Sequence, residues 1–211
     1  MRILIADDHH FIRKGIRETL AEELSLHDVV EARDGLEAFE LLTAEAFDMA
    51  IVDISMPGKG GLDLIKDVVA LRPRTHFLVM SVYPEREFAE RAYRNGAMGY
   101  LIKSGPPGEF IDAVRRILAG KKYVSPEYAE LLVQGLGGGP EEEERLSDRE
   151  LSVIGLYAAG KSLSRIGEEL HLSVKTVSTY KTRAMEKLGI DTNAQLIAYA
   201  VSRGWKAEAS V

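Results

Sequence analysis

Residues 4–10, LIADDHH, set two carboxylates and two imidazoles side by side directly after a short apolar run. Such a cluster is a histidine metal site, a carboxylate metal site, or a solvated turn crowded with polar groups. Other polar residues end other apolar runs in the same way: Asp53 ends MAIVD, Ser81 ends LVMS and Lys103 ends GYLIK. Three carboxylates held close together repel one another, and keeping them ionised demands a counter-charge. A hard divalent cation with oxygen ligands supplies it, Mg²⁺ foremost with Mn²⁺ as the alternative, and Lys103 adds an ammonium. A metal, an ammonium and a hydroxyl together suit a transferring phosphoryl group, where catalysis is mostly positioning and charge stabilisation. Asp53 is then the candidate nucleophile and would carry an acyl phosphate.

These residues act together only if the fold gathers them. From Arg2 to about Gly120 five β-type runs, ILIA, DVVEA, DMAIVD, HFLVMS and GYLI, alternate with segments of helical spacing. In the first such segment Ile12, Ile16, Leu20 and Leu24 recur every four residues, which is one helix face. Parallel strands need crossover connections, so the alternation predicts an α/β fold with a five-stranded parallel, doubly wound sheet. Ligand sites in such sheets lie beyond the carboxyl ends of the strands. Asp7, Asp8, Asp53, Ser81 and Lys103 all fall there.

The chain of 211 residues is long enough for two domains, and 45% apolar content is ordinary for buried cores. It contains no Cys, which excludes disulfides, thiolate zinc sites and a cysteine nucleophile. No signal-peptide apolar region precedes Asp7 and Asp8, and no run approaches the length of a membrane helix, so a soluble, cytoplasmic protein with no membrane partner is expected. The net charge of −6 hides an asymmetry. From Leu146 onward nine basic residues face seven acidic ones, leaving 18 against 26 before it, so the two ends should meet different partners.

Residues 121–145 read as a linker. SPEYAELLVQGL has a short helix's signals, with Ser125 as N-cap and Pro126 at the first helical position. GLGGGPEEEE has no packing face, and Glu141 to Glu144 read as a solvated stretch rather than a mimic of DNA. Beyond it every segment reads as helix: SDRELSVIGLYAAG, SLSRIGEELH, SVKTVSTYKTRAMEKLG and TNAQLIAYAVSRG. Ser147 three residues ahead of Glu150 is a capping box, and Gly160 and Gly189 stand where helices end in a left-handed residue. The expectation is an all-α domain of four short helices over 146–211, too small for a deep cleft.

ADDHH, VDISMPGKGGLDL, VMSVY and GAMGYLIKS resemble the receiver domain of two-component response regulators, over residues 1–120. The resemblance implies that Asp53 is the phosphoacceptor and that Asp7 and Asp8 anchor Mg²⁺. Asp8 would be the direct ligand, beside Asp53 and the main-chain carbonyl of Ser55. Ser81 would hydrogen-bond one phosphoryl oxygen and Lys103 would pair with another. Tyr100 matches the aromatic position whose inward or outward rotamer accompanies activation. Three positions depart from the common pattern: Ser104 follows the lysine where proline is usual, Ser81 stands for threonine, and His10 stands where relatives often carry proline. His9 and His10 are expected to shape the rim of the site or face solvent. His27, His76 and His171 have no ligand spacing and are assigned no site.

SVKTVSTYKTRAMEKLG carries Lys175, Lys181, Arg183 and Lys187 against Glu186 alone, and with SLSRIGEEL and the joint HLS it forms a helix-turn-helix. Residues 146 to about 204 are similar to the LuxR-type DNA-binding domain, and a receiver followed by this domain is the NarL/FixJ class. By chemistry Lys175, Thr176, Tyr180, Lys181, Arg183 and Lys187 are phosphate-positioning candidates. By family position Ser178, Thr179 and Thr182 would face base edges, where hydroxyls read sequence ambiguously. In NAQLIAYAVSRG the stripe of Leu196, Ala200 and Val201 either packs on the bundle or, as in the family, joins two copies on DNA.

The reading that follows is a transcriptional regulator switched by phosphorylation of Asp53 from a sensor histidine kinase, binding promoter DNA as a homodimer. It is not an enzyme beyond Mg²⁺-dependent self-phosphorylation and slow autodephosphorylation. One rival is an aspartate-nucleophile phosphotransferase or phosphatase, which usually has a second acid two residues after the nucleophile, where this chain has Ser55. The other is a DNA-binding regulator that no longer uses phosphate.

Overall fold

Each apolar run becomes a strand: β1 (Arg2–Ala6), β2 (Asp28–Ala32), β3 (Met49–Asp53), β4 (His76–Ser81) and β5 (Gly99–Ile102). They lie in the first of two units, Met1–Gly138 and Gly139–Val211, of a computed structural model that describes residues 1–83, 85–133 and 146–202. Between and after the strands run α1 (His10–Leu24), α2 (Gly35–Ala44), α3 (Gly61–Leu71), α4 (Glu85–Arg94), α5 (Pro107–Leu118) and α6 (Pro126–Val133). All strand pairs are parallel, in the order β2-β1-β3-β4-β5. This is the expected doubly wound sheet, with α1 and α5 meeting on one face and α2, α3 and α4 in contact along the other.

The burial follows from that layering. β3 lies in the sheet interior and every one of its residues is buried, as a parallel strand covered on both faces must be. Ile16 and Leu20 of the four-residue repeat are buried with Ile3, Ile5, Ile51, Leu101 and Ile117, and Ile12 and Leu24 pack at the margin. Each such side chain contributes about 1.5–3 kcal/mol on leaving water. Because the strand order reverses between β1 and β3, a crevice opens at their carboxyl ends. Asp7 follows β1 directly and Asp53 is the last residue of β3.

α6 starts at Pro126, with Ser125 Oγ accepting the Tyr128 N–H at 3.1 Å, and it leans on α4 through stacked rings of Tyr93 and Tyr128. Residues 134–145 of the expected linker, including Glu141 to Glu144, lie outside the described residues.

The second unit holds α7 (Asp148–Ala158), α8 (Leu163–Glu169), α9 (Val174–Leu188) and α10 (Asn193–Ser202). Ser147 caps α7 with both halves of the capping box formed, and Ser162 and Ser173 cap α8 and α9. Gly160 and Gly189 have φ of 87° and 66°, the left-handed ends their positions implied. Leu151, Ile154, Ile166, Val177, Ala184, Leu196 and Ala200 are buried in this unit. α7 touches each of the other three helices and acts as the scaffold.

Candidate functional site

The crevice gathers three of the predicted residues at bonding distance, with Asp8 beside them. Lys103, one residue beyond β5, places Nζ 2.7 Å from Asp7 Oδ2 and 2.9 Å from Asp53 Oδ2. All three side chains are under a tenth exposed, and the Asp8 side chain is as closely covered. β5 delivers the lysine there because it pairs with β4, and the Lys103 N–H donates to the Ser81 carbonyl at 2.8 Å. Burial pushes the Asp53 carboxyl above its ordinary value; Lys103 pulls the other way, Asp7 adds to the rise, and a backbone hydrogen bond from Ser55 lowers it. Burial disfavours the charged form of Lys103, but the Asp53 and Asp7 carboxylates outweigh it and hold the ammonium above its ordinary value. The lysine therefore stays cationic, and the site keeps a built-in counter-charge between two carboxylates.

Loop packing positions Asp53. Gly61, the last residue of the DISMPGKGG turn, donates its N–H to the Ile54 carbonyl at 2.9 Å. A Cβ built there would lie 2.1 Å from the Asp53 carbonyl oxygen. Glycine is required because the first turn of α3 rests directly on the backbone of Asp53.

Two residues that sequence reasoning missed complete the pocket. Tyr83 is buried; its hydroxyl accepts a hydrogen bond from Ser55 Oγ at 3.0 Å, its N–H donates to Ser81 Oγ at 3.1 Å, and its ring stacks on Phe88. Tyr100 lies fully buried and donates its hydroxyl to the Tyr83 carbonyl at 2.8 Å. Ser81 and Tyr100, singled out separately, are thus joined through Tyr83, whose position two residues after Ser81 was the only signal for it. Arg13 is the second: its guanidinium donates to the Asp7 carbonyl at 2.7 Å while pairing with Glu31. A helix-face arginine gives no hint of that in sequence.

One donor atom each from Asp7, Asp8, His9 and Asp53 lies within 4.8 Å of all the others. Three carboxylates make a hard oxygen donor set that fits Mg²⁺. His9, whose side chain is 54% exposed, sits at the rim with Nδ1 2.9 Å from Asp8 Oδ1 and 3.2 Å from Asp7 Oδ1. Its place is that of a partner to the carboxylates. His10 is exposed on the first turn of α1 with its ring edge-on to Phe11.

In the second unit α9 presents the expected basic face. Val177 and Ala184 are buried against the bundle, whereas Lys175, Thr179, Thr182, Arg183 and Lys187 are exposed and Thr176, Ser178, Tyr180 and Lys181 are half-buried. Two of the cations are held inside the domain. Lys187 Nζ donates to Glu150 Oε2 at 2.6 Å, and Lys181 Nζ donates to Asn193 Oδ1 at 2.9 Å while lying 4.4 Å from the centre of the Tyr157 ring. In α10 Leu196 and Ala200 are buried, so that part of the stripe serves the domain core, and Ile197 beside it is half exposed. The Val201 side chain is outside the described residues.

Comparison with known proteins adds two family matches: the response regulator receiver domain over residues 3–115 and the luxR family of bacterial regulatory proteins over residues 144–200. The oxygen regulatory protein NreC of Staphylococcus carnosus strain TM300 is 34% identical, over 96% of this chain and 98% of its own. NreC of Staphylococcus aureus strain JH9 is 32% identical over the same shares. Among solved structures, the response regulator RcsB in a DNA complex aligns at TM-score 0.57 and 29% identity, covering 96% of this chain and 98% of that one. RcsB of Salmonella enterica serovar Typhimurium, bound to promoter rprA with phosphomimetic BeF3−, aligns at 0.62 and 28%, covering 94% and 97%.

Proposed function

From the premise that this chain belongs to the response regulators, with a receiver domain followed by a luxR-type DNA-binding domain, we propose that phosphorylation of Asp53 controls promoter binding by α9. The observation that carries the proposal is Lys103 Nζ seated between Asp53 and Asp7 at 2.9 and 2.7 Å. The phosphodonor is the phosphohistidine of a sensor kinase. An Asp53 carboxylate oxygen forms a bond to phosphorus as the P–N bond breaks, and the electron pair returns to the imidazole nitrogen. The three equatorial oxygens then carry the charge that Lys103 and the Ser81 hydroxyl are positioned to meet. Asp7, Asp8 and Asp53, with the Ser55 main-chain carbonyl, are the residues that would hold Mg²⁺. When bound, the cation supplies further positive charge for the phosphoryl oxygens.

The readout follows from the Ser81–Tyr83–Tyr100 chain of hydrogen bonds. A phosphoryl oxygen that accepts the Ser81 O–H draws Oγ toward itself and away from the Tyr83 N–H that donates to it, and Tyr83 carries the carbonyl that holds Tyr100 inward. Phosphorylation thereby biases an existing equilibrium of this loop. The partners are a histidine kinase, double-stranded promoter DNA and a second copy of the chain on DNA. The chain accepts one phosphoryl group and loses it slowly rather than turning over a substrate. Among the described residues no helix is long and apolar enough to cross a membrane, and the proposed location is the cytoplasm, where such a kinase domain and DNA meet.

The test uses the full chain with a small phosphodonor and Mg²⁺, then Mn²⁺, reading intact mass and retention of promoter DNA. One stoichiometric adduct, absent in Asp53→Asn and accompanied by altered DNA retention, is the expected result. An adduct that persists in Asp53→Asn, or none in the wild type, overturns the phosphoryl mechanism; continuous phosphate release makes the chain an enzyme instead.

A further inference from the structure

The four cations of α9 are not equivalent in their surroundings. On an ideal helix of about 100° per residue, Val177 and Ala184 fix the buried edge, and Lys175 lies about 170° from it, Arg183 about 110°, Lys187 about 70° and Lys181 about 50° on the other side. The contacts agree with that phase. Lys187 reaches back to Glu150, a residue buried at the start of α7 whose Oε2 also accepts the Ser147 N–H of the capping box at 2.7 Å. Lys181 reaches across the opposite flank to Asn193 at the start of α10 and to the Tyr157 ring of α7. Lys175 and Arg183 are exposed, and among the described residues neither side chain is held by an ion pair.

Resting on the DNA-binding reading above, we propose that Lys175 and Arg183 are the cations of α9 that neutralise DNA phosphates, while Lys181 and Lys187 are positioning residues that brace the recognition helix on α7 from its two flanks. Between the two DNA-facing cations the outermost side chains are Thr179 and Thr182, which therefore have the first access to base edges. This divides a basic helix that looks uniform in sequence into a contacting face and a bracing pair. An ammonium already satisfied by a buried carboxylate has little to gain from a phosphate, because releasing it would leave Glu150 uncompensated. The cation–π seat of Lys181 similarly keeps its charge turned toward the domain.

Each phosphate neutralised releases counterions and adds about 0.9 to the slope of log affinity against log salt. The experiment measures that slope for the full chain, treated with phosphodonor and Mg²⁺, on a fluorescent mixed-sequence duplex across a range of NaCl. Lys175→Gln and Arg183→Gln are each expected to lower the slope by about 0.9 per bound chain. Lys181→Gln and Lys187→Gln are expected to keep the wild-type slope and to weaken binding by one common factor at every salt concentration. Pairing Glu150→Gln with Lys187→Gln rebuilds a neutral hydrogen bond and should restore most of that factor. Should Lys187→Gln alone unfold by circular dichroism, the paired variant supplies its slope. A fall in slope for Lys181→Gln or Lys187→Gln as large as that for Lys175→Gln overturns the division. A wild type with no salt-dependent binding overturns the DNA reading itself, an outcome distinct from any pattern among the variants.

Discussion

Lys103 and Lys187 make the same kind of bond in opposite surroundings. Lys103 is 8% exposed and spans two buried carboxylates at strand ends; Lys187 is 41% exposed and spans a domain surface to reach one buried carboxylate. In the receiver crevice the charges are out of water, so each one must be answered by another. In the helical unit water answers most charges, so a lysine on the recognition helix is free to serve either the fold or a ligand. In the crevice three buried charges converge on one point, whereas a charge on α9 is sorted only by helix phase and contacts.

The largest test of that contrast removes the buried cation. Lys103→Met leaves Asp7 and Asp53 facing each other without an ammonium, and breaking a buried pair this way costs about 3 kcal/mol. Urea unfolding of the receiver in EDTA should show that loss, and Mg²⁺ should recover part of it because it replaces the missing positive charge. An unchanged midpoint would mean that the crevice is wet enough to need no internal counter-charge. A smaller effect comes from the backbone under Asp53. Gly61→Ala forces a methyl against the Asp53 carbonyl and should cost about 2 kcal/mol. It should also slow adduct formation at Asp53, which intact mass against time would read. Retained stability with a wild-type rate would show that the DISMPGKGG turn yields without moving the carboxylate.

Most of the receiver could be read from sequence because its rule is simple. Apolar runs became strands, and the first polar residue after a run landed at the crevice, so Asp7, Asp53 and Lys103 were predictable from position alone. Tyr83 and Arg13 were not, because each acts through a backbone group: Tyr83 offers its N–H to Ser81 and its carbonyl to Tyr100, and Arg13 grips the carbonyl of Asp7. Any residue type has a backbone, so composition carries no trace of such a role. The limits were different in α9. Its cations and the Ser147 capping box were visible as residue types, but the reach of Lys187 to Glu150 spans 37 positions and depends on how α7 and α9 pack. Leu196 and Ala200 show the same limit, since a stripe at helical spacing fits a core and a dimer face equally well until packing decides.

The smallest effect isolates Lys187, because in the helical unit it titrates the carboxylate that this lysine holds. Burial alone would raise the Glu150 carboxyl, but hydrogen bonds from Lys187 and from Ser147 outweigh it and hold the carboxyl below its ordinary value of 4.5. A carboxylate whose folded pKa lies below its unfolded one binds more protons when unfolded, so its stabilisation is complete above about 4.5 and is lost as pH falls through the lower folded value. The contribution is that of a charge-assisted hydrogen bond with a partner open to water, about 1 kcal/mol. Thermal unfolding of the helical unit within the full chain, followed by circular dichroism between neutral pH and about pH 3, should show wild type and Glu150→Gln converging as the acid end is reached. A partial convergence should be seen for Lys187→Gln, which removes the ammonium and leaves the Ser147 hydrogen bonds to titrate with Glu150. If Lys187→Gln tracked the wild type at every pH, Glu150 would draw its low pKa from the capping box alone, and Lys187 would be left free for DNA.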